Sequence, residues 1–196
     1  MSARKGRARR RRAGGAARGA CRRDGTVSAE PIGRAAPPAW NARAMRRADL
    51  AQVSQIEARI FPFPWTYGNF ADSLAAGYDG WVFESLEAPG TLLGYAIVMW
   101  LPDEVHLLNL SVDAAVQGRG LGADMLDWLM SDACARGARS MLLEVRPSNT
   151  PALRLYERKG FMRVGLRRRY YPAHDGARED AIVMIRRLER QGAARG

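Results

Sequence analysis

Apolar positions first fall into a regular pattern near Trp40. Ala44–Arg46 reads as a short first strand. From Ala48 to Ile60, Leu50, Val53, Ile56 and Ile60 recur at the spacing of a helix face. Asp49 stands near the start of that helix, where negative charge is favourable. The run Phe61-Pro62-Phe63-Pro64-Trp65 ends it, because proline has no N–H and crowds the preceding turn. A second short helix is predicted through Phe70 and Leu74. After Gly77 and Gly80 come three strand-like runs, Trp81–Leu86, Thr91–Leu101 and Val105–Val112. Short Gly-, Pro- and Asp-bearing turns divide them, the pattern of an antiparallel meander. From Gln117 the helical period returns in Leu121, Met125, Leu126, Leu129, Met130 and Ala133, and Gly137 closes it. Ser140–Val145 is predicted as a buried strand and Asn149–Lys159 as a helix ended by Gly160. Phe161–Tyr171 and Ala181–Ile185 are the last strands. The order β-α-α-β-β-β-α-β-α-β-β predicts a mixed α/β (α+β) sheet with a strand-loop-helix unit at its centre.

Composition adds a boundary. The 196 residues are 47% hydrophobic and 26% charged, a globular balance of single-domain size, with a net charge of +11. That charge is uneven: residues 1–47 hold 14 of the 31 Lys and Arg and only two acids, Asp24 and Glu30. The rest is near neutral, which argues against a nucleic-acid-binding core. Residues 1–38 are read as a basic disordered leader, 39–190 as one folded domain and 191–196 as a flexible tail. The leader is poor in aromatic and β-branched residues and cannot bury enough surface to offset its ordering entropy. A weak, salt-dependent RNA contact through its arginines, or no role at all, stays open. No apolar run is long enough to span a bilayer, and no apolar stretch follows the arginines as a secretory signal requires. Cys21 and Cys134 stand far apart, and His106 and His174 lack a nearby second ligand, so neither a disulfide framework nor a metal site is expected. The reading is a cytoplasmic monomer with no membrane contact and no metal.

The central signal is Asn109–Leu126, NLSVDAAVQGRGLGADML. A strand ends at Val112, a polar link follows, and Gln117-Gly118-Arg119-Gly120-Leu121-Gly122 opens a helix. Glycines there let backbone approach a ligand closely, and the helix N-terminus adds partial positive charge, a combination suited to a pyrophosphate. The spacing is neither that of a dinucleotide fold nor that of a Walker loop, which needs Lys before Ser or Thr. A tight turn requiring glycine for geometry alone is the other reading.

Gln117-x-x-Gly120-x-Gly122 at a strand-to-helix junction resembles the acetyl-coenzyme A loop of the GCN5-related N-acetyltransferases. Within that family the chain resembles the RimI branch, which acetylates the N-terminal alanine of small-subunit ribosomal protein eighteen. The segments that carry the likeness are Phe63–Trp65, Asn109–Asp113, Leu143–Asn149, Leu155–Phe161, RRRYYP from Arg167 and DGARED from Asp175. The resemblance implies a sheet, mostly antiparallel, split by an acetyl-CoA cleft, with helices on both faces. It implies that acetyl-CoA enters between the strand around Asn109–Val112 and the strand ending at Glu144. The pantetheine would pair with the backbone of Leu110, Ser111 and Val112. The pyrophosphate would lie on Gly118, Arg119, Gly120, Leu121, Gly122 and Ala123, and Gln117 and Asn149 would contact the same cosubstrate. Ala114 departs from the family, where proline commonly follows the aspartate.

Two residues are candidates for the chemistry. Alternation along Ser140–Val145 puts Leu142 and Glu144 on one face and Leu143 and Val145 on the other. A carboxylate in such a strand either pairs with Arg146 or another arginine, or serves as general base for the incoming amine, as the resemblance implies. Tyr156 either packs beside Ala152 and Leu153 with a wet hydroxyl, or, as the resemblance implies, protonates the departing thiolate. A strand N–H near Leu110 or Val112 would stabilise the oxyanion. An α-amine has a pKa of ~7.7–8.0 against ~10.4 for lysine, so a single carboxylate base suits an N-terminal target better than a lysine. Other protein N-termini or a small-molecule amine remain alternative acceptors, with a catalytically silent RNA- or ribosome-binding protein as a further reading. Trp65 and Tyr171 are expected along the acceptor channel.

Overall fold

A computed structural model describes residues 37–189. The leader, apart from Pro37 and Pro38, and the tail 191–196 lie outside the described residues. The elements run β1 (Trp40–Ala44), α1 (Leu50–Ile60), α2 (Tyr67–Ala75), β2 (Asp79–Ser85), β3 (Leu92–Trp100) and β4 (Glu104–Val112). They continue with α3 (Leu121–Ala135), β5 (Ser140–Val145), α4 (Thr150–Arg158), β6 (Met162–Pro172) and β7 (Arg178–Arg187). The element order agrees with the sequence reading. Two ends differ. The first strand lies at Trp40–Ala44 rather than Ala44–Arg46, because Arg46 begins a tight turn in which its N–H donates to Asp49 Oδ2 at 2.6 Å. The central helix starts at Leu121, not Gln117, because Gly118 and Gly120 adopt φ of 78° and 98°. These are left-handed values that no α-helix accommodates.

The seven strands form one sheet in the order β1-β2-β3-β4-β5-β7-β6. Neighbours are antiparallel except β4 and β5, which are parallel and joined through α3. β2, β3 and β4 make the expected meander. One face of the sheet is covered by α3 and α4 through Leu121, Met125, Leu126, Leu129, Leu153 and Tyr156. The other face, over β2–β4, is covered by α1 and α2 through Leu50, Val53, Ile56 and Phe70. β3 is therefore buried on both sides, which is why its sequence is an unbroken apolar run. α1 and α2 stop short of β5. Leu142 and Glu144 consequently emerge on a face that no helix fills, while Met141, Leu143 and Val145 point into the core. Among the described residues no helix is long and apolar enough to cross a membrane.

Candidate active site

The site begins where two parallel strands part. β4 and β5 pair over Glu104–Leu107 and Ser140–Leu143. Beyond that point β4 continues with β3 alone: Leu110 opposes Ala96, Ser111 opposes Tyr95, and Val112 opposes Gly94. Every second residue of that stretch turns its N–H and C=O away from β3 into the gap. Gly94 permits this arrangement, since a Cβ there would stand 2.5 Å from the Ser111 carbonyl oxygen and 2.8 Å from Met125 Cε.

The loop after β4 is braced at both ends. Asp113 Oδ1 accepts the Ala115 N–H at 2.9 Å and starts a short 3-10 turn, Ala114–Val116, which forms without the proline common in the family. Arg59, in the last turn of α1, pairs with the same aspartate. Gln117 Nε2 donates back to the Val112 carbonyl at 2.9 Å. The chain then turns through Gly118 and Gly120, and Gly120 O accepts the Ala123 and Asp124 N–H groups at 2.8 and 3.3 Å. The N–H groups of Leu121 and Gly122 precede the intrahelical ladder of α3 and stand at its positive end.

A cavity of about 820 Å³ opens over this loop. Leu110, Ser111, Val112, Gln117, Gly118, Gly120, Leu121, Gly122, Ala123, Asn149 and Tyr156 line it; Arg119 does not. A Cβ at Gly118 or Gly120 would meet nothing within 4 Å, so these glycines serve backbone conformation and leave the cavity open. Ser111 is 4% exposed, and its hydroxyl donates to Asn109 Oδ1 at 3.2 Å. Asn149 caps α4, its Oδ1 accepting the Ala152 N–H at 3.2 Å.

A second cavity of about 550 Å³ lies on the other side of the parting strands. It holds Glu144, Glu57, Trp65, Asn109 and Tyr171. The two cavities share a wall that includes Phe61, Phe63, Leu110, Arg146, Asn149 and Tyr156. Tyr156 is 8% exposed, and burial pushes its phenol up to about 12, so it carries its proton throughout the neutral range. Glu144 meets the arginine that its strand position suggested, although the partner is Arg167 Nε at 2.8 Å, not Arg146. Arg146 instead pairs with Glu179 at 3.4 Å.

Residues 50–161 match the acetyltransferase (GNAT) family model. The chain belongs to that family. It is 39% identical over 140 residues to a [Ribosomal protein bS18]-alanine N-acetyltransferase of Escherichia coli (strain K12), covering 71% of this chain and 92% of the relative. It is 41% identical over 149 residues to N-alpha-acetyltransferase RimI of Mycobacterium tuberculosis, covering 73% and 89% of the two chains. Among solved structures, the ribosomal-protein-S18-alanine N-acetyltransferase of Escherichia coli aligns with a TM-score of 0.70 and 35% identity, over 80% of this chain and 98% of that one.

The walls of the first cavity fit the acetyl donor of a GNAT acetyltransferase. A strand edge suits a pantetheine, and a glycine loop at a helix N-terminus suits a diphosphate. No group of three or more His, Cys, Asp or Glu side chains among the described residues is placed to hold a metal ion. Around this GNAT cleft the structure also gathers residues that sequence reasoning left aside. Arg146 stacks over Tyr171 at 4.2 Å, lies 5.9 Å from the Phe63 ring and donates to the Pro172 carbonyl at 2.9 Å. His174 packs on Phe63 at 5.3 Å. The α1–α2 and β6–β7 loops thus meet over the cleft. Glu57 is the larger omission. It occupies the helix-face position shared by Leu50 and Val53, so an acid within that apolar stripe was the available signal.

Proposed function

We propose that this acetyltransferase moves the acetyl group of acetyl-CoA to the N-terminal α-amine of a protein, and that its main acceptor is the N-terminal alanine of small-subunit ribosomal protein bS18. The observation that carries the chemistry is the shared wall: one cavity suits the thioester, its neighbour holds Glu144, and Tyr156 borders both. A relative named for that alanine acetylation, matched over 92% of its own length, supports the acceptor, and one named as an N-alpha-acetyltransferase supports the α-amine.

In this reading the α-ammonium loses one proton to Glu144, directly or through water, and the neutral nitrogen attacks the thioester carbonyl. A β4 N–H near Leu110 or Val112 stabilises the oxyanion; losing such a donor typically costs ~10²–10³-fold in rate. The C–N bond forms, the nitrogen gives up its second proton to water, the C–S bond breaks, and Tyr156 gives its phenolic proton to the departing thiolate. Such acid–base assistance is typically worth ~10²–10⁴-fold. No covalent enzyme intermediate is required. The basic leader, in this proposal, adds only non-specific attraction to RNA.

The test is coenzyme A release by the purified full-length chain with a peptide beginning Ala-Arg-Tyr-Phe. Faster turnover of Ser-, Met- or lysine-bearing peptides, or of a small polyamine, would replace the acceptor assignment. Acetyl transfer that persists without residues 1–38 would separate the chemistry from any RNA contact.

A further inference from the structure

Glu57 is 2% exposed, yet it lines the acceptor cavity beside Asn109, Leu110 and Glu144. Its Oε1 accepts the Trp65 backbone N–H at 3.1 Å and Asn109 Nδ2 at 3.3 Å, and its Oε2 accepts the Tyr95 hydroxyl. All three donors are neutral. Among the described residues no ion pair joins Glu57 to a Lys, Arg or His: Arg146, which lines the same cavity, pairs with Glu179, and Arg167 pairs with Glu144. The Tyr95 phenol is held far above its ordinary value, first by burial and then by the charge of Glu57. A carboxylate removed from water and met only by neutral donors is under-compensated, and a cation brought beside it gains correspondingly.

We infer that Glu57 is the ammonium-binding residue of the acceptor site: it receives the protonated N-terminus of the incoming peptide before Glu144 takes the proton. The inference rests on the acetyl-transfer reading above. At neutral pH an α-amine with a pKa of ~7.7–8.0 arrives mostly as a cation, and a cation enters a largely buried site only where a negative charge awaits it. Two carboxylates then divide the work. Glu144, paired with an exposed arginine, takes the proton; Glu57, without a counter-ion, supplies the attraction. The acetylated product is a neutral amide and has lost that attraction, so the same residue favours substrate entry and product departure.

The experiment compares binding of two peptides to the protein saturated with coenzyme A, one beginning with free Ala-Arg-Tyr-Phe and the other the same peptide N-acetylated. Wild type should bind the free amine at least ~10-fold tighter, the scale of a hydrogen bond to a charged group. Glu57→Gln keeps the shape and loses the charge, and it should bring that ratio close to one while leaving the acetyl-CoA Kd unchanged. Equal weakening of both peptides would mean that Glu57 only anchors the Phe61–Trp65 loop, and an unchanged ratio would mean that it does not face the amine; either overturns the inference. Should Glu57→Gln fail to fold, Glu144→Gln decides: the amine preference must survive there, and its loss would assign the attraction to Glu144. Failure of wild type to acetylate the free peptide would instead remove the functional reading itself.

Discussion

Arg167 Nε stands 2.8 Å from Glu144 Oε1, the carboxylate with 18% of its side chain exposed and the guanidinium with 56%. β6 thereby lays a solvent-facing cation across the group proposed to accept the substrate's proton. An exposed pair of this kind contributes about 0–1 kcal/mol, so it gives way easily. Arg167→Met should leave the melting temperature nearly unchanged and lower the peptide KM by up to ~5-fold, because a competitor for Glu144 has gone. Steady-state kinetics with the alanine peptide read this directly. A KM that rises instead would make Arg167 an acceptor ligand.

Glu144→Gln should lower kcat by ~10² or more at pH 7 with little change in acetyl-CoA affinity. The deficit should shrink above about pH 8, where the α-amine is already neutral and needs no base. A deficit of constant size from pH 6 to 9 would take the base role away from this residue.

Tyr156→Phe should reduce kcat by a similar factor, and it also tests burial. The folded phenol keeps its proton up to about 12, whereas an unfolded tyrosine loses it near ~10. Between those values only the folded state retains the proton, so stability falls as pH rises, by about 1.4 kcal/mol per pH unit for this one group. Urea unfolding at pH 10.5 and 11.5 should show the phenylalanine variant losing less stability than wild type by roughly that amount.

Two glycines should fail for different reasons. Gly120→Val places a side chain at φ 98°, with open space around it, so the loop must abandon a left-handed turn at ~1–2 kcal/mol. Calorimetry should find acetyl-CoA affinity lost from a protein that still melts cooperatively. A normal Kd would contradict the phosphate-cradle reading.

Gly94→Ala meets the Ser111 carbonyl at 2.5 Å. Forcing β3 and β4 apart should cost ~1–3 kcal/mol in chemical denaturation and also raise the acetyl-CoA Kd. Full retention of both would show that β4 gives way without disturbing the gap.

Much of this was legible along the chain. The apolar stripe Leu121–Ala133 and the doubly buried run Leu92–Trp100 announce their own structure, because one helix face or one buried strand leaves a period that few other arrangements share. The loop glycines and Glu144 could be picked out because each breaks its local pattern, whereas Tyr156 stands out only through the family resemblance. Ends of elements were harder to read: whether Arg46 extends a strand or starts a turn depends on Asp49, three residues away, accepting its N–H.

Local spacing and side-chain chemistry, then, were enough to determine the order of elements, the glycine turn into α3 and the presence of a carboxylate in β5. Tertiary structure alone decided that Glu144 answers to Arg167 across 23 residues, that Tyr156 borders two cavities at once, and that Glu57 in α1 lies buried beside Asn109 of β4 without a cation. The reason is one of range. Backbone preference and periodicity act over a few residues, whereas charge compensation and cavity shape depend on which distant strands the sheet brings side by side.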